Sequence, residues 1–433
     1  MQWKNVLLLG VVLAAASAIK AASAAGPDQT TVGAEPAQAT LEQLIDKALR
    51  SNPDIRALTA DIAAAQGEVV TTSAWPNPEF SAVPGTTMVP EAGTQFHGTL
   101  ELTQVFEFPG KRALRRAVVE KSVELRQLAL EGFRFQLANQ VRRVFYHILA
   151  SHQVIELRQQ GLALTTSFLE AAKKKVEGGF APEFEVTKAE VEVVAAQKAL
   201  RDAQAQHNIV HTELNELLGR RPDEPLEVTG KLEGTTPVFS DSSLYAQALA
   251  LNPSLKIQAA AIERADLNLR SVRKSRLPDF TIGPNLEYAR DGQIYGLGVS
   301  LPLPVWDRKR GPISTAAAEQ QRATAEFAML EQEVLRDVSA ASQKLHSAKE
   351  SLSYYTAEFR GKLKAALDAA AESYGEGRTT LLIYLETQRT YFDAQADYFE
   401  TFQQLYDAQA ELESALGVPL AELQTPNQPR EKE

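Results

Sequence analysis

No cysteine occurs in the 433 residues of this chain. Its absence excludes a disulfide framework, a thiolate metal site, a cysteine nucleophile and lipid attachment through a cysteine. Histidine is scarce, at 6 residues, so a histidine-built metal centre has few ligands to draw on. Basic residues number 45 against 55 acidic ones, a formal net charge of -10. That balance lacks the basic footprint of a nucleic-acid binder. Past the first 25 residues no apolar run approaches the ~18–20 residues that a membrane-crossing helix requires. Aromatic residues make up only 7%, while alanine is abundant, a composition suited to long helices in close contact.

Catalytic signatures are missing as well. Gly110-Lys111 has neither the preceding glycine nor the following Ser/Thr of a phosphate loop. Neither Gly-x-Ser-x-Gly nor His-Glu-x-x-His is present. Carboxylates abound, but on long helical patterns, where they read as solvated faces. His207 and His211, four apart on a predicted helix, share a face, yet two imidazoles lack a third ligand there. His147 and His152, five apart, fit worse. The chain reads as a non-enzyme with no cofactor and no metal site.

What is present begins with a secretory signal over residues 1–25. Lys4 supplies the positive start and Val6 to Ala18 an apolar run of 13 residues. Ala22-Ser23-Ala24 or Ser23-Ala24-Ala25 supplies a small-residue cleavage site. The run is too short to span a bilayer, and Lys20 follows it. A polar linker, residues 26–39, comes next. The mature chain is expected to cross the inner membrane.

The remainder reads itself twice. Ala48, Leu49, Asn52, Pro53, Ala60, Ile62, Pro78 and Phe80 recur 200 positions on as Ala248, Leu249, Asn252, Pro253, Ala260, Ile262, Pro278 and Phe280. The offset slips to 197 where Phe106, Phe108, Lys111 and Arg112 meet Leu303, Val305, Arg308 and Lys309. It settles at 198, where Gly179 meets Gly377 and Leu218-Gly219 meets Leu416-Gly417. One unit built twice is therefore expected, over residues 40–230 and 231–420, with a polar tail at 421–433.

Each unit predicts the same elements. A helix opens near Thr40, breaks at Asn52-Pro53 and stops before Trp75-Pro76-Asn77-Pro78. Strands follow over about 79–106: a short one near Glu79–Val83, a Pro/Gly/Thr-rich loop at 84–94, and an alternating run. In that run Phe96, Gly98, Leu100 and Leu102 share one face, and His97, Thr99, Glu101 and Thr103 the other. A helix then runs from Ala113 to Glu177, Gly178-Gly179 turns it, and a return helix from Pro182 ends at Gly219. In the second unit a helix spans about 242–276, with strands over about 279–304 joined at Asp291-Gly292. Tyr295, Leu297, Val299, Leu301 and Leu303 form the returning strand. One helix follows from Pro312 to Tyr374, a turn at 374–380, and a last helix.

Lengths set the architecture. Ala113–Glu177 makes roughly 98 Å of helix, and the two flanking helical stretches together match it. Each unit can fold as one long helix beside shorter ones stacked end to end. Four runs of about ten residues suit tilted strands crossing a bilayer, apolar face to lipid and polar face to water. Four strands cannot close a barrel and open edges are forbidden in lipid, so several copies must assemble. A soluble half-buried sheet would alternate in the same way.

These residues resemble the TolC-type outer-membrane efflux proteins over about 40–420. Trp75-Pro76-Asn77-Pro78-Glu79-Phe80, Leu102 to Arg112, and Leu301 to Gly311 are similar to the cobalt-zinc-cadmium resistance branch. The resemblance implies a mainly α fold with a small β part. Long antiparallel helical hairpins would form a trimeric α-barrel, and four strands per protomer would complete a twelve-stranded transmembrane β-barrel. It implies a homotrimer in the outer-membrane lipid with a long periplasmic extension. That trimer would be the exit duct for an inner-membrane resistance-nodulation-division pump joined through a periplasmic adaptor, carrying heavy-metal cations. The tips at 177–182 and 374–380, with Gly178, Gly179, Phe180, Gly375, Gly377, Arg378 and Thr379, would meet the adaptor. Glu185 and Tyr374 match two members of a latch that keeps the duct closed. Its arginine falls at Thr379, with Arg378 one position early. Glu386 matches one of two acids lining the narrowest opening, and Ile383 stands at the other. The same duct could serve drug, solvent or protein export, and a soluble periplasmic coiled-coil scaffold is the reading from another class.

Overall fold

The chain divides into two compact units, Met1–Ala37 and Gln38–Glu433. The computed structural model describes residues 39–89, 93–232, 240–289 and 292–423, all in the second unit. The expected signal, most of the linker, the Asp291 position of the hairpin turn and nearly all of the polar tail lie outside the described residues.

Repeat one opens with α1 (Leu41–Ser51) and α2 (Pro53–Ser73). Gln43 Oε1 accepts from the Thr40 N–H at 3.1 Å, closing the first turn. Strands β1 (Glu79–Val89) and β2 (Gly93–Phe106) follow, then α3 (Lys111–Glu177) and α4 (Phe184–Leu217). Repeat two supplies α5 (Asp241–Leu251), α6 (Pro253–Lys274), β3 (Phe280–Ala289) and β4 (Gly292–Ser300). Helices α7 (Arg310–Tyr354), α8 (Ala357–Gly375) and α9 (Leu381–Leu416) complete it. At 67 residues, α3 is about 100 Å long.

The Asn-Pro pair performs one job in both repeats. Asn52 Oδ1 accepts from the Asp54 N–H at 2.8 Å, and its Nδ2 donates to the Leu217 carbonyl at 3.1 Å. Asn252 Oδ1 accepts from the Ser254 N–H at 2.8 Å, and its Nδ2 donates to the Ala415 carbonyl at 2.8 Å. One buried side chain thus starts a helix whose first residue is proline, where no N–H is needed. The same side chain caps the end of the return helix. Gly219 and Gly417 complete the corner at φ 66° and 81°, values that favour glycine. This corner stacks the shorter helices end to end along α3 and along α7–α8.

Among the described residues, buried apolar side chains gather in three clusters. One lies around Leu44, Val141, Val144, Phe145 and Leu214, and its counterpart around Leu244, Val338, Leu405, Leu412 and Leu416. Both sit beside the Asn-Pro corners. The third, around Phe168, Ala189, Leu367, Tyr374, Leu381 and Tyr384, packs the two helical turns against each other.

The four strands form one antiparallel sheet in the order β1-β2-β3-β4. Three expectations are corrected. The loop expected at 84–94 is largely strand: Pro84 lies opposite Gly98 and Thr86 opposite Phe96. Because β1 is an edge, Pro84 can sit there without breaking the sheet. The returning strand ends at Ser300, so Leu301 and Leu303 lie beyond it. The helix expected from Pro312 to Tyr374 is two helices. Thr356 adopts extended backbone and its side chain accepts from the Phe359 N–H at 3.0 Å. Its hydroxyl therefore caps a new start. Tyr355 packs against Tyr398, over which the Arg360 guanidinium also lies, 4.2 Å from the ring centre. The break is thus anchored on α9.

Candidate functional site: an apolar sheet face and paired helix tips

Strand register gives the sheet two unlike faces. Phe80 lies opposite Leu102 and Ala82 opposite Leu100. Leu100 in turn lies opposite Leu286, and Leu286 opposite Tyr295. These side chains share one face, joined by Phe96, Tyr288, Leu297 and Val299, and the eight large ones other than Leu286 are exposed. The other face carries Thr99, Glu101 and Thr103 beside Thr281, Asn285 and Glu287. An exposed apolar face running across four strands is not left to water in a soluble protein.

The tips lie at the other end of α3. Phe180 N–H donates to the Lys175 carbonyl at 2.8 Å and Gly179 N–H to the Val176 carbonyl at 2.9 Å. In repeat two Arg378 N–H donates to the Ser373 carbonyl at 2.8 Å and Gly377 N–H to the Tyr374 carbonyl at 3.1 Å. Both are Schellman turns, with Gly179 and Gly377 at φ 75° and 73°. Gly178 ends α3, and Gly375 is the last residue of α8. Phe180 is 87% exposed, and Phe184, Leu382 and Ile383 are exposed around the same end.

Tyr374 joins the two tips. Its hydroxyl donates to Glu185 Oε2 at 2.8 Å. Burial first, and then the Glu185 carboxylate, push this phenol well above its ordinary value, so it stays a donor at any physiological pH. Lys175 completes the contact: its Nζ donates to the Tyr374 carbonyl at 3.0 Å and lies 3.9 Å from the ring centre. No local signal along the chain marks this lysine's role, which depends on the packing of one hairpin on the other. Arg378 does not reach Glu185 and pairs with Glu376. Thr379 is half-buried beside it. Glu386 is exposed on the first turns of α9, and among the described residues its side chain has no partner. Arg389 on the next turn pairs with Glu192 at 3.2 Å.

The histidines are engaged in the fold. His207 Nδ1 is 2.9 Å from the Ser151 hydroxyl, His211 Nε2 bonds the Leu226 carbonyl at 3.1 Å, and His147 Nε2 bonds Asp407 at 2.8 Å. His152 comes near His207, a neighbour that spacing along one helix could not reveal. Burial, with His152 and His211 nearby, pushes His207 below its ordinary value.

The sequence profile of the outer membrane efflux protein family matches residues 44–220 and again 244–418. The chain belongs to this family. The double match coincides with the two structural repeats. CzcC, the cobalt-zinc-cadmium resistance protein of Cupriavidus metallidurans, is 25% identical over 87% of this chain and 90% of its own length. NccC, the nickel-cobalt-cadmium resistance protein of Alcaligenes xylosoxydans xylosoxydans, is 27% identical over 64% of this chain and 65% of its own. Crystal structures of CusC, concerned with folding and transmembrane channel formation, superpose with a TM-score of 0.74 at 16% identity. They cover 88% of this chain and 93% of that one. In this efflux protein, then, the sheet and the tips are the two features around which a function has to be built.

Proposed function

We infer that this outer membrane efflux protein is the trimeric exit duct of a tripartite export system for heavy-metal cations. One observation carries the reading: an exposed apolar sheet and a pair of interlocked helical tips stand at opposite ends of a helix about 100 Å long. The apolar sheet face meets outer-membrane lipid, and the Thr/Glu/Asn face lines a water-filled lumen. Three copies close a twelve-stranded barrel, leaving no open edge in lipid. The helices extend into the periplasm, and Phe180, Gly178, Gly179, Gly375, Gly377, Arg378 and Thr379 form the surface met by an adaptor bound to an inner-membrane pump. The names of CzcC and NccC support metal cations as cargo. The test is deletion of the gene, followed by measurement of tolerance to zinc, cobalt, cadmium, nickel, copper and silver. Unchanged metal tolerance alongside lost drug tolerance would replace metal with drug export.

The Tyr374–Glu185 hydrogen bond holds the tips closed. Tyr374→Phe and Glu185→Gln are each expected to raise single-channel conductance in planar bilayers. The double variant should gain little more, since both remove one bond. Conductance at the wild-type level in both single variants would refute the latch. Three copies of Glu386 around the axis form an acidic ring that draws cations. Glu386→Gln is expected to lower cation preference in the same recordings, and an unaltered reversal potential under a salt gradient would exclude that role.

A further inference from the structure

One end of the sheet carries an uncompensated concentration of cations. Arg270, Arg273, Lys274 and Arg276, toward and just past the end of α6, and Arg308, between β4 and α7, line one open cavity. Among the described residues no acid lines it with them. Arg270 is paired with Asp266 at 2.6 Å, and Lys274 Nζ lies 5.3 Å from the Phe108 ring centre. Arg273, Arg276 and Arg308 are exposed, and among the described residues their side chains have no partner. Asp307, the acid next to Arg308, is held by Lys309 Nζ at 2.9 Å.

The internal duplication supplies a comparison. Val70, Ser73, Ala74 and Pro76 stand where the second repeat has Arg270, Arg273, Lys274 and Arg276, and Glu107 stands where it has Pro304. The matching cavity of repeat one is lined by Ser73, Trp75, Glu107, Arg112 and Arg116 among others. Its charges are matched. Glu107 accepts twice from Arg115, at 2.7 and 3.1 Å, and Arg116 donates to Glu120 at 2.7 Å. The Arg112 guanidinium lies 4.1 Å from the Trp75 ring centre. Repeat one thus neutralises this position from within the chain. Repeat two has cations where repeat one has Val70, Ser73, Ala74 and Pro76, lacks the acid, and leaves three guanidinium groups exposed. Like charges crowded in this way repel one another until an anion joins them. The negative end of a helix accounts for Arg273 and Lys274, in the last turn of α6. It does not account for Arg276 or Arg308, which lie outside the helix.

The surroundings of these cations indicate which anion. The apolar positions of β4, Tyr295, Leu297 and Val299, are followed by Leu301, Leu303, Val305 and Trp306, exposed by 50, 71, 54 and 94%. Leu277 and Pro304 line the cavity itself. Trp75 and Trp306, the two tryptophans among the described residues, both lie at this end of the sheet, before β1 and after β4. Tryptophan at the edge of an apolar sheet face marks the level of lipid headgroups, and a guanidinium fork matches the oxygens of a phosphate. We propose that this cavity binds the headgroup phosphate of an anionic phospholipid. Arg273, Arg276 and Arg308 hold the phosphate, and the Leu303–Trp306 segment meets the first carbons of its acyl chains. A zwitterionic headgroup is disfavoured, because it would bring an ammonium back among the guanidinium groups. The proposal rests on the reading of the sheet as part of a barrel in lipid. It makes the two repeats unequal at this level: repeat two holds a lipid, and repeat one does not.

Native mass spectrometry of the full-length protein in detergent, offered phosphatidylglycerol and phosphatidylcholine in equal amounts, reads the preference directly. Phosphatidylglycerol adducts are expected to dominate. One surface cation beside an anionic lipid is worth roughly fivefold, so Arg273→Gln with Arg276→Gln should lower phosphatidylglycerol retention by at least about tenfold. Phosphatidylcholine retention should not change. Both side chains are exposed and make no contact among the described residues, so the melting temperature should hold. Arg116→Gln, in the cavity of repeat one, is expected to leave retention of both lipids as it was. Equal retention of the two lipids by the unaltered protein overturns the proposal, and so does a double variant that retains phosphatidylglycerol as before. Loss of phosphatidylglycerol to an excess of inorganic phosphate also overturns it, in favour of a site for small anions. Each of these results leaves the barrel reading standing, provided that the protein floats with phosphatidylcholine vesicles after reconstitution. Protein that fails to float with them overturns both.

Discussion

Arg142→Ala is expected to destabilise the protein by about 3–5 kcal/mol, the cost of stranding one member of a buried ion pair. The carboxylate of Glu413, on α9, is 2% exposed. It accepts from Arg142 Nη1 at 2.5 Å, from Gln409 Nε2 at 3.2 Å and from the Leu420 N–H at 3.0 Å. Among the described residues Arg142 is its one cationic partner, and it belongs to α3, so the pair ties repeat one to repeat two. Asn139, one turn earlier, donates to the Ala410 carbonyl at 2.7 Å, and Tyr146, one turn later, stacks on Tyr406. Without the guanidinium, the donors left facing this buried charge among the described residues are neutral, the Gln409 amide and the Leu420 N–H. Combining Arg142→Met with Glu413→Gln removes both charges and keeps an acceptor for Leu420, so most of the loss should return. Far-UV circular dichroism melts of the three detergent-solubilised proteins are the measurement. A double variant no more stable than Arg142→Ala would show that the charge is not what costs the energy.

Gly417→Ala has the next largest expected effect, about 2–5 kcal/mol. Two terms add. The residue sits at φ 81°, a left-handed conformation that costs a non-glycine residue roughly 1–2 kcal/mol. A Cβ there would also approach Pro253 Cδ to 2.2 Å, and relieving such overpacking costs about 1–3 kcal/mol. The corner would have to move off α9 and stretch the Asn252–Ala415 hydrogen bond. Comparison among glycines isolates the terms. At Gly219 the nearest atom to a Cβ is the Ser51 carbonyl oxygen at 2.8 Å, and at Gly377 nothing lies within 4 Å. The expected order of loss is Gly417, then Gly219, then Gly377, which retains the conformational term alone. Equal melting temperatures for Gly377→Ala and Gly417→Ala would remove crowding from the explanation.

Much of this architecture is legible along the chain because its signals are local. Inside a helical pattern an Asn-Pro pair ends one helix and can start the next, so both corners are visible as Asn52-Pro53 and Asn252-Pro253. A glycine at φ 75° or 73° announces a turn, so both tips are visible. Alternation over Phe96–Leu102 and Phe280–Tyr288 gives the strand faces. The misreadings arise where a distant partner overrides a local preference. Pro84-Gly85 reads as a loop until eleven residues of β1 find β2. Tyr355-Thr356 carries no helix breaker, and the break there depends on Tyr398, a residue of another helix. The candidate latch divides in the same way. Glu185 and Tyr374 are legible by resemblance, but Lys175 is not, since its contact forms only when one hairpin packs on the other.

Sequence alone determined the duplication, the order of elements and the unlike faces of the strands. Each of these follows from periodicity or from a residue whose backbone options are few, and such properties need no knowledge of neighbours. Tertiary structure decided the rest. The meeting of α3 with α9 places Arg142 against Glu413, and the packing of the tips places Tyr374 between Glu185 and Lys175. The pairing of β2 with β3 fixes which edges are left open. These contacts join residues between about 170 and 270 positions apart, where no periodicity operates. Only the close packing of interlocking side chains selects one partner there among many of similar chemistry.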